Sequence, residues 1–337
     1  WIQQKVDWKL KWNYPGRILV KNKFPKLYEF IQQFNQKDTA KTFENYLNEI
    51  QPDVVHSFSL QLSCIPIIGI MKKYKNVKWI YSSWGSDVYY YKSIGVKEAD
   101  FVEVIKRMNY YISDCLRDEN ILRQKGYLNE FLGVFPGNGG VDINEDFITT
   151  PEKRKIILVK GYNDFIGRGK YILKAIEKID ISYFEGLEIL IYGGDDEIKE
   201  IINNSKNFKN LNFKFYKRDE YIDNVALIEI MGKSIMHIGN SKSDGIPNAM
   251  IEAMAMGAFP IQSDPGGATS EIIKDGYNGL LIQNCECEIE ISEKIILALK
   301  NNKMIQDAFS INTKMISEFQ SSKKLKNKIV NIYEKIN

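Results

Sequence analysis

The sequence Ser-Lys-Ser-Asp-Gly-Ile-Pro-Asn-Ala-Met-Ile-Glu-Ala-Met-Ala-Met-Gly, at positions 241–257, carries most of the information about the fold. It predicts a loop followed by a helix, because Pro247 suits the first helical turn and Gly257 suits the position after the last. Asp244 and Gly245 then lie in the loop just before the helix. Unpaired amides and the helix dipole make such a helix start a binding site for an anion.

Glu252 lies inside the same helix, where its neighbours are Ala, Met and Ile residues. A helix that is apolar all round is buried, and an unpaired buried carboxylate is very costly. Two vicinal ribose hydroxyls would satisfy this carboxylate, since they offer two donors to its two oxygens. A Lys side chain or a backbone group of the same protein would serve equally well. The residue pattern does not choose between these partners.

Short apolar runs alternate with helical patterns along the chain. Strands are predicted at 53–58, 78–82, 110–113, 155–160, 187–192, 213–216, 234–238, 258–262 and 279–282, and helices at 170–179 and 269–274. Regular alternation of strands and helices indicates parallel sheets that are covered on both faces. In such sheets, ligands bind at the carboxyl ends of the strands.

The cluster Phe-Pro-Gly-Asn-Gly-Gly-Val-Asp at 135–142 is typical of a linker between domains. It predicts one α/β domain at 1–145, a second at 146–318 and a terminal helix at 319–337. The length of 337 residues agrees with two domains of about 150 residues each. Because the first domain shows few clear strands and the sequence begins with Trp1 rather than Met, we expect its start to be missing.

The overall composition excludes several classes of protein. Hydrophobic residues at 44% and charged residues at 26% are typical of a soluble globular chain, not of a disordered or fibrous one. The 46 basic and 43 acidic residues nearly balance, so nucleic acid is not expected as a partner. The four cysteines lack the spacing of a zinc site, which favours a reduced, cytoplasmic location. The apolar runs are too short to cross a membrane.

The segment at 1–26 departs from this even charge distribution, since it carries seven basic residues and one acidic residue. Three tryptophans, Trp1, Trp8 and Trp12, are interleaved with them. A basic, aromatic surface of this kind can rest on an anionic membrane, so we expect peripheral contact with the inner face of the membrane. A solvated surface over an ordinary core is the alternative explanation.

The spacing Asp244-x7-Glu252 resembles the E-x7-E signature of the family 4 retaining glycosyltransferases. Other pieces occur in the order that this family's pattern expects: Pro-Asp-Val-Val-His at 52–56, Trp-Gly-Ser-Asp at 84–87, Asn-Gly-Gly-Val-Asp at 138–142, Tyr-Gly-Gly at 192–194, Gly-Ala-Phe-Pro-Ile at 257–261, and Asp-Pro-Gly-Gly at 264–267 before Glu271. The resemblance covers nearly the whole chain. It implies the GT-B fold, in which two doubly wound Rossmann-like domains face each other across a cleft and a terminal helix crosses back to the first domain.

The resemblance also implies roles for individual residues of a nucleotide-sugar site. Glu252 would hold the ribose of the nucleotide, and Asp244 would contact the donor sugar. The backbone amides of Gly245 and Ile246 would bind the diphosphate. Asn248 is assigned to the same site, whereas the acceptor would bind mainly to the first domain.

Three positions depart from the family pattern. Asp244 is one methylene shorter than the usual Glu. Gly161, which the resemblance also assigns to the nucleotide-sugar site, is followed by Tyr162 instead of the usual Arg. Trp84 replaces the usual His of the motif that Asp87 closes, and we expect Asp87 to orient the acceptor or the donor sugar.

The missing Arg raises the question of which cations stabilise the leaving diphosphate. Arg168 and Lys170 follow the same strand and are the candidates, with Lys160 at the strand end as second choice. Arg suits phosphate through paired hydrogen bonds, and Lys suits it as a point charge. Surface charge at a helix start is the alternative explanation. The sequence contains no acidic cluster with metal-ligand spacing, so we expect no metal.

Together these features predict a retaining, metal-independent hexosyltransferase that moves a sugar from a UDP- or GDP-linked donor to a glycan or lipid-linked acceptor. The habits of the family imply cell-surface polysaccharide synthesis, and no cofactor is expected besides the donor substrate. Two alternatives stay open. One is a GT-B relative such as a nucleotide-sugar epimerase, and the other is a catalytically silent nucleotide-sugar-binding subunit, which the unusual Tyr162 and Trp84 suggest.

Overall fold

Two parallel β-sheets form the framework of the protein. The structure, a computed structural model, describes residues 10–220, 222–319 and 321–336. Part of the basic, aromatic segment at 1–26, including Trp1 and Trp8, therefore lies outside the described residues. Within the described ranges, no helix is both long and apolar enough to cross a membrane.

Among the described residues, the first sheet contains four strands in the order β1-β2-β3-β4, all parallel. Its strands are β1 (Val54–Phe58), β2 (Lys78–Ser82), β3 (Tyr110–Ser113) and β4 (Glu130–Val134). The helices of this part are α1 (Arg17–Lys23), α2 (Pro25–Asn35), α3 (Thr39–Ile50), α4 (Ile68–Met71), α5 (Glu98–Arg107) and α6 (Leu116–Gln124). The predictions of β1, β2 and β3 are confirmed. Strand β4 escapes prediction because Gly133, at φ +127°, interrupts its short apolar run.

The second sheet contains six strands in the order β10-β9-β8-β5-β6-β7. Its strands are β5 (Ile156–Lys160), β6 (Glu188–Gly194), β7 (Phe213–Lys217), β8 (Ser234–Gly239), β9 (Phe259–Ser263) and β10 (Leu280–Ile282). The chain runs outward from β5 to β7 and then returns to the other side of β5. The loops after β5 and β8 therefore open a crevice at the point where the strand order reverses.

Helices cover both faces of the second sheet, which explains the continuous apolar runs in its strands. These helices are α7 (Gly169–Lys178), α8 (Asp196–Asn204), α9 (Asn224–Lys233), α10 (Asn248–Ala255), α11 (Glu288–Lys300) and α12 (Asn302–Phe319). The predicted helix at 269–274 is wrong, since only a short 3₁₀ turn forms at Thr269–Glu271. The reason is local, because the Asn278 side chain accepts a hydrogen bond from the Lys274 amide and turns the chain.

The last helix, α13 (Ser322–Ile336), lies against the first sheet rather than the second. Its Ile336 packs with Ile80 of β2, and the Tyr333 hydroxyl is hydrogen-bonded to Nδ1 of His56 in β1. The chain therefore returns to the four-stranded sheet after it has completed the six-stranded one.

Candidate functional site

A cavity of about 180 Å³ lies where the crevice loops of the second sheet meet the first domain. Lys160, the last residue of β5, lines the cavity. Four residues that follow β8 line it as well, namely Asn240, Ser241, Ser243 and Asp244. Ser86, from the loop after β2, lines it from the opposite side. The cavity therefore combines both domains at the carboxyl ends of their strands.

The carboxylates of Asp244 and Glu252 are both influenced by the Lys160 ammonium group. Burial raises the pKa of Asp244, and the nearby Lys160 charge opposes that shift. Burial also raises the pKa of Glu252, which a hydrogen bond and the Lys160 charge oppose. Lys160 thus lies close enough to both acids to favour their charged forms. The fold brings the two acids of the Asp244-x7-Glu252 spacing to one cation.

The hydrogen-bond partner of Glu252 comes from the linker between the domains. Asn138 donates from its side-chain amide to Glu252 Oε1 at 3.2 Å. The sequence suggested a Lys side chain or a backbone group as the internal partner of Glu252. The partner in the structure is instead an Asn side chain. Asn138 belongs to the segment at 135–142, so the linker reaches the site.

The start of α10 presents amides and unpaired polar atoms to the site. The helix begins at Asn248, so Pro247 precedes it rather than forming its first turn, and no described side chain caps this end. The Ile246 side chain is buried in an apolar cluster, which leaves only its backbone for a ligand. Buried side-chain oxygens of Ser243 and Asn248 have no hydrogen-bond partner among the described residues. Such groups are rare in folded proteins and are expected where a ligand binds.

Gly161 and Tyr162, which the resemblance aligns with a Gly-Arg pair, follow directly after β5. A Cβ on Gly161 would lie 2.9 Å from Ile191 Cγ2, so a side chain does not fit between β5 and β6. The Tyr162 ring has two cations near its centre, Lys160 Nζ at 4.8 Å and the Arg218 guanidinium at 4.4 Å. Sequence reasoning missed Arg218 because it follows a different strand, β7.

Arg168 and Lys170 do not line the cavity, so this geometry gives no support to their predicted contact with the leaving diphosphate. Arg168 Nε donates to Glu286 Oε1 at 2.7 Å, and Lys170 Nζ donates to Glu197 Oε1 at 3.2 Å. The loop that follows β5 turns both side chains toward these acidic partners. The second choice from the sequence, Lys160, is the lysine that lines the cavity.

Asp87 anchors the loop that carries the Trp-Gly-Ser-Asp motif. Its carboxylate accepts hydrogen bonds from Ser59 Oγ at 3.2 Å, the Leu60 amide at 3.0 Å, the Trp84 amide at 3.2 Å and the Tyr81 hydroxyl at 3.3 Å. Burial raises the pKa of Asp87, and these hydrogen bonds oppose the shift. All of these donors belong to the first domain. The predicted contact between Asp87 and a sugar stays a prediction.

One group of side chains combines metal-binding atoms in a small volume. Asp114, Cys115 and Asp118 bring one such atom each to within 4.8 Å of one another. However, Asp118 is already paired with Arg117 at 2.7 Å, and Asp114 accepts a hydrogen bond from the Gly85 amide at 2.8 Å. We therefore assign no metal to this group, and metal independence stays a prediction.

Two protein-family models match the chain. The model of the glycosyl transferases group 1 covers residues 142–315, slightly more than half of the chain. The chain belongs to this family. The glycosyl transferase 4-like model covers residues 31–119. The matches confirm the resemblance drawn from the motifs, and the group 1 match contains Lys160, Asp244 and Glu252.

Two curated relatives are named as enzymes that transfer sugars. An uncharacterized glycosyltransferase of Methanocaldococcus jannaschii is 27% identical over 232 residues, which are 64% of this chain and 54% of the relative. An α-1,4-N-acetyl-D-galactosaminyltransferase of Campylobacter jejuni is 23% identical over 176 residues, which are 52% of this chain and 47% of the relative. The chain thus spans about half the length of the curated relatives it matches.

Solved structures resemble the whole architecture. The crystal structure of Anabaena HepE in complex with UDP aligns with a TM-score of 0.67 at 12% identity. The alignment covers 88% of this chain and 82% of HepE. An identity this low establishes the fold alone. Together with the two parallel sheets, the match confirms the predicted GT-B fold class.

Proposed function

We propose that this chain is a retaining glycosyltransferase that transfers a hexosyl group from a UDP- or GDP-linked donor to a glycan or lipid-linked acceptor without a metal ion. The observation that carries the proposal is that Lys160 and Asp244 line one cavity at the switch point of the second sheet, with Glu252 on the helix that follows Asp244. The UDP bound to HepE supports the donor class. The name of the Campylobacter relative, which contains a PP-undecaprenol-linked glycan, supports the acceptor class.

In this proposal, the donor lies along the carboxyl edge of the second sheet. Glu252 accepts hydrogen bonds from the ribose hydroxyls in place of the one from Asn138, and Asp244 contacts the sugar. The Lys160 ammonium group and the backbone N–H groups of Gly245 and Ile246 bind the diphosphate, with Asn248 at the start of α10 beside them. Negative charge grows on the diphosphate as it leaves, so fixed positive groups stabilise the transition state more than the ground state.

The acceptor attacks on the face that the diphosphate leaves, and a diphosphate oxygen accepts the acceptor's proton. The bond from the anomeric carbon to the diphosphate breaks as the bond to the acceptor oxygen forms. No protein nucleophile is needed in this mechanism. What the protein supplies is orientation of the two substrates and stabilisation of the leaving group.

Aromatic side chains at the carboxyl edge of the first sheet form a candidate acceptor surface, the aromatic shelf of His56, Phe58 and Trp84. Phe58 is 42% exposed and Trp84 is 51% exposed. The ring centres are 4.2 Å apart between His56 and Phe58, and 5.4 Å apart between Phe58 and Trp84. Trp84 precedes Gly85, where an added Cβ would lie 3.6 Å from Asp244 Oδ1. The shelf therefore begins beside Asp244, and exposed aromatic faces suit the apolar faces of sugar rings.

A cytoplasmic location at the inner membrane face, in cell-surface polysaccharide synthesis, belongs to the same proposal. Large apolar side chains on α1, on α2 and at the residue between them are exposed, namely Ile18, Leu19, Phe24, Phe30 and Phe34. The segment around them is basic, as the sequence predicts. Exposed apolar groups within a basic segment suit an anionic lipid surface.

Incubation of the chain with radiolabelled UDP- and GDP-sugars, with and without free and lipid-linked glycans, tests the proposal. We expect label transfer only with acceptor present, at a rate that EDTA does not change. Donor turnover without acceptor would instead indicate an epimerase, and nucleotide binding without turnover would indicate a silent subunit. Either result contradicts the proposal, and a loss in EDTA that Mn²⁺ restores contradicts its metal-independent part.

A further inference from the structure

Helix α6 of the first domain begins directly against the second domain. The first two amides of this helix, Leu116 and Arg117, donate to Glu271 Oε2 and Oε1, both at 2.7 Å. A carboxylate that accepts two amides at a helix start is a strong, charge-assisted cap. Here the capping carboxylate comes from the second domain. It therefore joins the two domains as well as capping the N-terminus of α6.

The side chain of Arg117 reaches from the first domain to the backbone of the second. Its Nη1 donates to the carbonyl oxygens of Asp244 at 2.8 Å and Pro265 at 2.6 Å in the second domain. Its Nε donates to Asp118 Oδ1 at 2.8 Å, and its guanidinium lies 4.4 Å from the centre of the Tyr89 ring. A planar guanidinium can hold several partners in fixed directions at once. Arg117 therefore holds the backbone of Asp244 from the side of the first domain.

The two domains also approach each other closely beside this contact. A Cβ on Gly245 would lie 2.1 Å from Asp114 Oδ2, a distance that no side chain allows. Asp114 in turn accepts a hydrogen bond from the Gly85 amide at 2.8 Å. The loop at 243–247 is thus set against the loop at 85–87, where the aromatic shelf begins.

We propose that Arg117 and Glu271 are positioning residues that hold the loop at 243–247 in register with the first domain. This inference rests on the proposed function, in which Asp244 contacts the donor sugar while the first domain holds the acceptor. Both residues act through the backbone of other segments and do not touch the reacting atoms. Their effect is to keep donor and acceptor aligned, on which transfer depends steeply.

Hydrogen exchange of the chain without substrates tests the contact itself. Glu271→Gln keeps the size of the side chain but leaves one amide of α6 facing an NH₂ group. We expect amide exchange to rise about tenfold or more at 116–117, and also at 243–247 and 85–87. The matched control is Glu290→Gln, since Glu290 accepts the amides of Gln283 and Asn284 at 2.6 and 2.9 Å within the second domain. The control should raise exchange at 283–284 only.

Kinetics separate a positioning role from a purely structural one. We expect Glu271→Gln and Arg117→Lys to lower kcat about tenfold or more, with UDP affinity by calorimetry within about twofold of wild type. Glu290→Gln should leave both unchanged. The proposal is overturned if exchange rises at 116–117 alone, or if Glu271→Gln and Glu290→Gln lower kcat equally. If the unmodified chain transfers no sugar, the proposed function fails. The hydrogen-exchange result at 243–247 and 85–87 then still shows whether Glu271 holds these loops together.

Discussion

At the scale of single residues, Lys160 is the group on which the account of leaving-group stabilisation depends. Lys160→Gln should raise the activation free energy of transfer by about 2–4 kcal/mol, because a preorganised charge beside the diphosphate is lost. Lys170→Gln is the matched control, since Lys170 is paired with Glu197 outside the cavity. We expect its rate to stay within about twofold of wild type. Steady-state kcat values of the two variants would contradict the assignment if their order were reversed.

Glu252 is the second residue whose role can be isolated. Glu252→Gln should weaken UDP binding by about 1–3 kcal/mol, because charge-assisted hydrogen bonds to the ribose are lost. Calorimetry with UDP and with 2′-deoxy-UDP sharpens the test. Wild type should discriminate between the two nucleotides, and the variant should do so much less. Equal discrimination by both proteins would mean that Glu252 does not hold the ribose.

At the scale of elements, the aromatic shelf depends on where β1 and β2 end. Trp84→Ala should raise the KM for the acceptor about threefold to tenfold, because the stacking surface beside Phe58 is lost. UDP affinity should not change, since the nucleotide is assigned to the second domain. Trp84→Phe should restore most of the acceptor affinity. A parallel loss of UDP affinity would show instead that the variant disturbs the whole cleft.

At the scale of the whole molecule, the contact between the domains makes stability depend on pH. Burial, with smaller contributions from Asp118 and Asp244, raises the pKa of Asp114 to about 7 from its usual 3.8, while the Gly85 amide opposes the shift. The folded protein therefore binds this proton more tightly than the unfolded chain. Its contribution to stability is complete below about pH 4 and is lost as the pH rises to about 7.

Asp114→Asn tests this linkage, because the amide oxygen can still accept from Gly85 but no longer titrates. The free energy of unfolding should fall less steeply between pH 4 and 7 in the variant than in wild type. Urea unfolding at a series of pH values measures the two slopes. Part of the slope should remain, since burial also raises the pKa of Asp118 to about 6. Identical slopes would mean that protonation of Asp114 is not coupled to folding.

Local patterns were enough to predict most of the framework. The strands β1, β2 and β3 follow from apolar runs, and α10 follows from its apolar face and its Gly stop, because these signals act between near neighbours. The resemblance of the Asp244-x7-Glu252 spacing to the family signature implied a shared site, and that assignment stays a prediction. Strand β4 and the turn at Thr269–Glu271 were missed, because single residues decide them, namely Gly133 within the strand and Asn278 just after the turn.

Only the tertiary structure decided which side chains meet in the site. Asn138 reaches Glu252 from the linker, and Arg218 reaches Tyr162 from the end of another strand. No periodicity records such contacts, because they depend on how segments far apart in the chain pack together.

The choice between Lys160 and Arg168 has the same physical origin. Both lie near the end of β5 in the sequence, so order along the chain does not separate them. Lys160 is the last residue of the strand and is held at the crevice by the sheet. Arg168 follows a loop whose path depends on its packing against other segments, and there its guanidinium pairs with Glu286. The direction of a side chain at a strand end is fixed by the sheet. The direction of a side chain after a loop depends on how that loop packs against the rest of the protein.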